Sequence, residues 1–112
     1  MGKFTVGQVV SSAFPFSNLE TQKYRPALVV AIVDFDNLIL CQITSKIYSS
    51  SKPIKLITSS FSRGGLPVDS YIRPDKLFTA DETIVSKSYG ELKPEILEQV
   101  LRNIRNIFTT SK

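Results

Sequence analysis

A chain of 112 residues, 42% of them hydrophobic, is sized for one domain spanning 1–112 and is too apolar to stay disordered. It carries no His and one Cys, which excludes an imidazole general base, a pair of histidines cutting RNA, and a Cys/His structural zinc site within one chain. Its 14 Lys+Arg against 10 Asp+Glu leave a mild net charge of +4, compatible with a polyanionic partner or with solubility alone.

In chain order, Thr5–Ala13 reads as a first strand, β-branched with polar residues interspersed. Phe14-Pro15-Phe16 opens a polar loop that runs to Tyr24. Pro26 begins ALVVAIV, a run apolar enough to predict a strand buried on both faces. Asp34–Asn37 supply turn residues and Leu38–Ser45 a third strand, so a hairpin is expected. After the loop KIYSSSKP, Pro53–Ile57 is a short strand. Thr58–Pro67 reads as a loop with Gly64-Gly65 as its flexible point. Ser70–Ile72 and Lys76–Thr79 read as two short strands parted by the turn pair Pro74-Asp75. About five or six short strands with tight turns predict a mainly β chain curled into a small barrel. The period then changes. Ile96, Leu97, Val100, Leu101, Ile104, Ile107 and Phe108 form one helical stripe, predicting a C-terminal helix at about 94–108. Pro94 suits its first turn, and Glu98 with Arg102 makes a favourable i,i+4 pair.

The charge is unevenly placed. Residues 1–73 hold eight basic and four acidic groups, whereas 74–112 hold six of each. The excess therefore lies in the first two thirds, and 37–63 contain Lys46, Lys52, Lys55 and Arg63 with no acid. The start MGKFTVGQVVSS lacks the continuous apolar stretch of a signal peptide, and Val6 stands where a myristoylation signal needs Ser or Thr. The longest apolar run, Ala27–Val33, is far short of a membrane span, so no membrane association is expected. Cys41 has no partner for an internal disulfide, which makes a reducing cytoplasm the expected compartment.

Few residues are placed to do chemistry. Asp34-x-Asp36 has the spacing of two carboxylate metal ligands and equally of a strand-to-strand turn, with no third ligand nearby. No metal and no cofactor are expected. Gly64-Gly65 lacks the spacing and the lysine of a phosphate loop. Cys41, without a histidine base, reads as a small core residue, and Ser70 and Ser49–Ser51 have no base either. Arg25 and the Gln42–Ser45 stretch remain. A guanidinium at a strand entrance can give bidentate hydrogen bonds to a phosphate. Side chains alternate along the third strand, so Cys41 and Ile43 share one face and Gln42 and Thr44 the other. In a short hairpin Thr44 lies near Arg25. The pair reads either as a phosphate clamp or as an ordinary exposed Arg beside a strand Thr.

These residues match a known pattern. Lys23-Tyr24-Arg25-Pro26-Ala27-Leu28-Val29-Val30 resembles the RPALVV core of the MazF/PemK toxin family. Val6–Val10 (VGQVV) resembles its opening GDIV strand, and Cys41-Gln42-Ile43-Thr44-Ser45 its ILCQITS strand. Val68–Thr79 (VDSYIRPDKLFT) resembles its S-x-x-R-P-x-K-L-F-T segment, and Tyr89-Gly90-Glu91-Leu92 its G-x-L before the last helix. The resemblance spans nearly the whole chain. It implies an SH3-like β-barrel of 5–7 short antiparallel strands with a C-terminal helix, in a homodimer. It further implies a type II toxin of a toxin–antitoxin pair, a metal-independent endoribonuclease that cuts single-stranded RNA by 2′-OH attack and is blocked by a cognate antitoxin.

By the same resemblance the catalytic residues fall on Arg25 and Thr44. Arg25 would stabilise transition-state charge and Thr44 would hydrogen-bond a phosphoryl oxygen. Phe16, Lys23, Tyr24, Gln42, Ser45, Lys46, Ser70 and Arg73 are the expected substrate-binding residues. Phe14, Phe16, Tyr24 and Tyr48 are candidates to stack bases or to be buried at the barrel rim. Gln8 stands where the family has an acid. Two rival readings use the same barrel. One is a gyrase-poisoning toxin that acts by protein contact; the other is a family member that binds RNA or antitoxin without cutting.

Overall fold

The computed structural model describes residues 3–13, 24–46 and 54–109. In chain order the elements are β1 (Gln8–Ala13), β2 (Tyr24–Val33), β3 (Asn37–Thr44), β4 (Ile54–Leu56), β5 (Phe61–Gly64), β6 (Ser70–Asp81), β7 (Val85–Leu92) and α1 (Pro94–Ile107). Short 3₁₀ turns occupy Asp34–Asp36, Thr58–Ser60 and Glu82–Ile84.

Among the described residues the strands form one seven-stranded sheet in the order β4-β6-β3-β2-β1-β7-β5, antiparallel throughout. Its two edge strands are neighbours in sequence. From Leu56 to Phe61 the chain can span at most about 18 Å. Seven strands laid flat would set their edges roughly 29 Å apart. The sheet therefore has to curl, and the result is the mainly β, barrel-like fold with a C-terminal helix that the strand count and the resemblance anticipate.

Both faces of the central strands are buried. Val9, Leu28, Cys41, Ile43 and Ile72 form the main core with Val100 of α1, and Leu97 and Ile104 pack against it. On the opposite face Val10, Ala27, Val29, Leu38 and Leu40 form a second cluster with Ala80 and Val85. Leu28 belongs to one cluster and its neighbours Ala27 and Val29 to the other, which is why the run after Pro26 is apolar without alternation. α1 starts with Pro94 in its first turn and presents its apolar stripe to the main core. Glu98 pairs with Arg105 at 2.9 Å rather than with Arg102, because a long Arg two turns on reaches back along the same helix side. Among the described residues no helix is long and apolar enough to cross a membrane.

The first strand begins at Gln8 rather than Thr5, because the Gln8 N–H closes a turn on the Thr5 carbonyl at 3.2 Å. Three other differences from the sequence reading are larger. β5 lies inside the stretch read as a loop, and β7 was given no strand at all. β5 is exposed except at Phe61, and β7 is buried only at Val85 and Leu92, so neither shows a period of two. Their backbone bonds to each other and to β1 make them strands. The third difference is β6, a single 12-residue strand where two strands and a turn were expected. Its pairing with β3 jumps from Cys41↔Leu77 to Ile43↔Ile72, so residues 73–76 bulge opposite Gln42 alone. A bulge tolerates Pro74 without ending the strand. Asp34-Phe35-Asp36 is the expected turn, with Phe35 and Asp36 at φ 63° and 60°.

Candidate functional site

β2 and β3 pair with Ala27 opposite Gln42. Arg25 and Thr44 each lie two residues beyond that pair, Arg25 beside Ser12 of β1 and Thr44 beside Tyr71 of β6. Both side chains line one open pocket of about 310 Å³, together with Ser45, Lys46 and Ser70. The remaining walls are apolar: Pro26, Ile43, Leu66, Pro67, Val68 and Tyr89. The described lining residues include two cations, Arg25 and Lys46, and no carboxylate.

The polar groups are set up to receive an anion. Among the described residues the ion pairs engage Lys55, Arg63, Arg73 and Arg105, leaving Arg25 and Lys46 outside them. The hydroxyl of Thr44 accepts the backbone N–H of Lys46 at 3.2 Å. A hydroxyl carries one donor and two lone pairs, so this bond leaves the Thr44 O–H to donate into the pocket. Ser70 is buried and donates to the Val68 carbonyl at 3.0 Å, so its hydroxyl braces the apolar wall.

The sequence-predicted residues are divided by the fold. Arg25, Thr44, Ser45, Lys46 and Ser70 come together at the pocket. Tyr24 is exposed beside it and Gln42 is half-buried opposite Ala27; neither lines it. Arg73 also lies outside the lining, with its guanidinium fork held by Asp75 at 2.8 and 3.1 Å. Phe16 and Lys23, with Phe14 and Tyr48, lie outside the described residues. Gln8 takes the backbone N–H of Thr5 at 2.7 Å and reaches Ser88 at 3.4 Å. It sits four residues along β1 from Ser12, the strand partner of Arg25, roughly 13 Å away along the strand. The residue standing for the family's acid thus braces the N-terminal turn and does not touch Arg25.

Cys41 is buried in the core, as expected for a small apolar residue. Its thiol donates to the Arg73 carbonyl in the β6 bulge at 3.0 Å. Burial, and to a lesser degree the nearby Asp75 charge, push that thiol up to about 12. A thiol so protonated is no nucleophile near neutral pH. Asp34 and Asp36 are exposed in their turn. Among the described residues no group of three or more His, Cys, Asp or Glu could hold a metal ion.

The sequence reading missed Leu66, Pro67, Val68 and Tyr89 as pocket walls. Tyr89 had a signal, an aromatic between polar residues, but its approach to residue 65 depends on the pairing of β5 with β7.

The family model of PemK-like, MazF-like toxins of type II toxin-antitoxin systems matches residues 5–108, nearly the whole chain. A comparison with curated proteins gives no match. Among solved structures, the Mycobacterium tuberculosis toxin MazF-mt6 superposes with TM-score 0.71 at 16% identity, covering 94% of this chain and 99% of that one. The MazE-MazF structure from Deinococcus radiodurans gives 0.72 at 17% identity, covering 96% and 98%. A mycobacterial endoribonuclease in complex with its cognate antitoxin gives 0.66 at 15% identity, covering 95% and 96%. The structural matches establish a shared fold; the family match establishes that this chain belongs to the PemK/MazF toxin family.

Proposed function

We propose that this member of the PemK/MazF family is a metal-independent endoribonuclease that cuts single-stranded RNA at short sequences, with 1–112 acting as one toxin domain. The observation that carries the reading is that Arg25 and Thr44 line one pocket with Lys46 and no described carboxylate. A phosphodiester in this pocket meets a guanidinium fork, a hydroxyl donor and a second cation.

The RNA 2′-oxygen attacks the adjacent phosphorus, and the bond from phosphorus to the 5′-oxygen breaks. The products are a cyclic phosphate and a 5′-hydroxyl. Charge grows on the non-bridging oxygens in the transition state. Arg25 and Thr44, fixed on paired strands, stabilise it there without reorganising. Arginine does not act as the proton acceptor, since a guanidinium keeps its proton in proteins. With the pocket open, water at its mouth takes the 2′-OH proton and supplies one to the leaving oxygen.

The partners follow from the same surfaces. An antitoxin with an acidic segment fits a pocket that Arg25 and Lys46 line and competes with RNA, a reading supported by the antitoxin complexes of the structural neighbours. A second copy covers the apolar hollow of about 290 Å³ where Leu101, Ile104 and Phe108 of α1 face Val30, Ile39 and Leu77. Phe108 is 73% exposed there, a poor end state for a monomer. The cytoplasm remains the compartment that suits the free Cys41.

Purified protein is expected to cut single-stranded RNA in EDTA and to leave 5′-hydroxyl ends. Arg25→Ala is expected to lose the activity with its circular dichroism spectrum unchanged. Cutting that persists in Arg25→Ala sinks the site assignment. Intact RNA with disturbed DNA topology in arrested cells would favour the gyrase-type reading instead.

A further inference from the structure

The apolar side of the Arg25 pocket plays no part in the steps above. Leu66, Pro67 and Val68 form it with Tyr89, in the same pocket that Arg25, Thr44 and Lys46 line. We propose that this apolar wall seats one nucleobase, that of a nucleotide adjoining the phosphate held by Arg25 and Thr44. The inference rests on the nuclease reading and adds to it the place where base preference is set.

The wall is built before any ligand arrives. Gly64 turns the chain at φ +70°, and the next residue, Gly65, donates its N–H to the Tyr89 carbonyl at 3.1 Å. At the other end Ser70 donates to the Val68 carbonyl at 3.0 Å. Leu66 packs against the main core between those anchors, and Tyr89 packs against it from β7. Yet Val68, at the free edge, is 57% exposed. The Lys87 ammonium lies 5.2 Å from the centre of the Tyr89 ring, adding a cation beside this wall. An apolar surface sharing a pocket with phosphate-binding groups suits a nucleotide, which presents an apolar base face at one end and an anion at the other.

Size and chemistry limit what the seat can read. A pocket near 310 Å³ lies at the low end of the roughly 300–1,000 Å³ found for small-ligand sites, room for a single nucleotide unit. The side chains of Leu66, Pro67 and Val68 bear no hydrogen-bonding group, so they grip a base face and sense its width. The resulting preference is soft, since shape alone discriminates by about 10–200-fold.

The test is binding in EDTA, read by fluorescence anisotropy. The probe is a hexanucleotide spanning the mapped cut site, made uncuttable by a 2′-deoxy residue at the cleavage position. It is used intact, or abasic on one side or the other of the held phosphate. Loss of one of those two bases is expected to weaken wild-type binding about tenfold. Val68→Ser, at an exposed position, and Leu66→Ala, checked by thermal melting, are expected to bind the intact probe several-fold more weakly and to lose most of the abasic penalty. Variants that keep the full penalty overturn the seat. So does Val68→Ser weakening antitoxin binding alone, which would make the wall a peptide site. Failure is separable from that of the nuclease reading. Wild-type cutting with an unchanged abasic penalty removes only the seat. A wild type that cuts no RNA and binds no random hexanucleotide pool removes both.

Discussion

Replacing Gly64 by Ala tests whether the crossing of β5 and β7 builds the pocket wall. A Cβ at Gly64 would lie 2.1 Å from the Tyr89 carbonyl oxygen and 2.7 Å from the Gly90 Cα. Ordinary contact begins at 3.4 Å, so two backbones must part by about 1.3 Å. Neither obstacle is a flexible side chain. A non-glycine residue at φ +70° costs about 1–3 kcal/mol. Forced separation adds about 1–3 kcal/mol, and losing the bond from Gly65 to that same carbonyl about 1 kcal/mol. The expected destabilisation is about 5 kcal/mol, a fall of roughly 20 °C in melting temperature for a chain of this size. Gly65→Ala is the control, because a Cβ there meets nothing within 4 Å. It should stay within about 0.5 kcal/mol of wild type. Urea unfolding of both variants decides the matter. A Gly64→Ala loss below about 1 kcal/mol, or equal losses in both variants, refutes the reasoning.

Three further outcomes are expected. Thr44→Val, which keeps the shape and removes the hydroxyl, should lower kcat about 100-fold with little change in KM, measured on a short RNA substrate. Asp75 is held below the usual carboxylate range chiefly by hydrogen bonds from Arg73, and Asp81 chiefly by the Thr83 backbone N–H. A lowered carboxyl adds stability above its unfolded value and loses it as pH falls through the folded one. Urea midpoints should therefore fall below about pH 4, and Asp75→Asn with Asp81→Asn should shrink that fall. Cys41 has the opposite sign. Its folded-state value lies above the unfolded one, near 9.0, so its contribution is full below that value and lost as pH rises toward about 12. Melting temperature should decline over that range, and less steeply in Cys41→Ala.

Much of the fold was legible because its signals were local. The run from Ala27 to Val33 is apolar without alternation because Leu28 faces one cluster and Ala27 and Val29 the other. The helical stripe from Ile96 onward was equally plain. β7 was not legible, since only Val85 and Leu92 are buried in it. Nor was the continuity of β6, where Pro74 signals a turn but sits in a bulge set by register against β3. At the site, alternation along β3 put Gln42 and Thr44 on the same side as the proposed clamp. Only Thr44 reaches the pocket, because Gln42 lies opposite the bulge. Arg73 looked free to bind substrate, yet Asp75 two residues on takes its fork.

By itself the sequence determined the exclusions and the class. The absence of histidine favours a site whose groups stabilise charge, and the basic excess falls in the same two thirds of the chain as the pocket's cations. Composition and periodicity suffice for this because they count residues and spacings along one line. The tertiary structure decided which of those residues meet. β4 and β5, neighbours in sequence, became opposite edges of one curled sheet, and the crossing of β5 and β7 brought residues 64–68 against Tyr89. Strand order, bulge register and a close approach of two glycine backbones are long-range properties, fixed by packing the whole sheet at once. They brought an arginine and a threonine nineteen positions apart into one pocket.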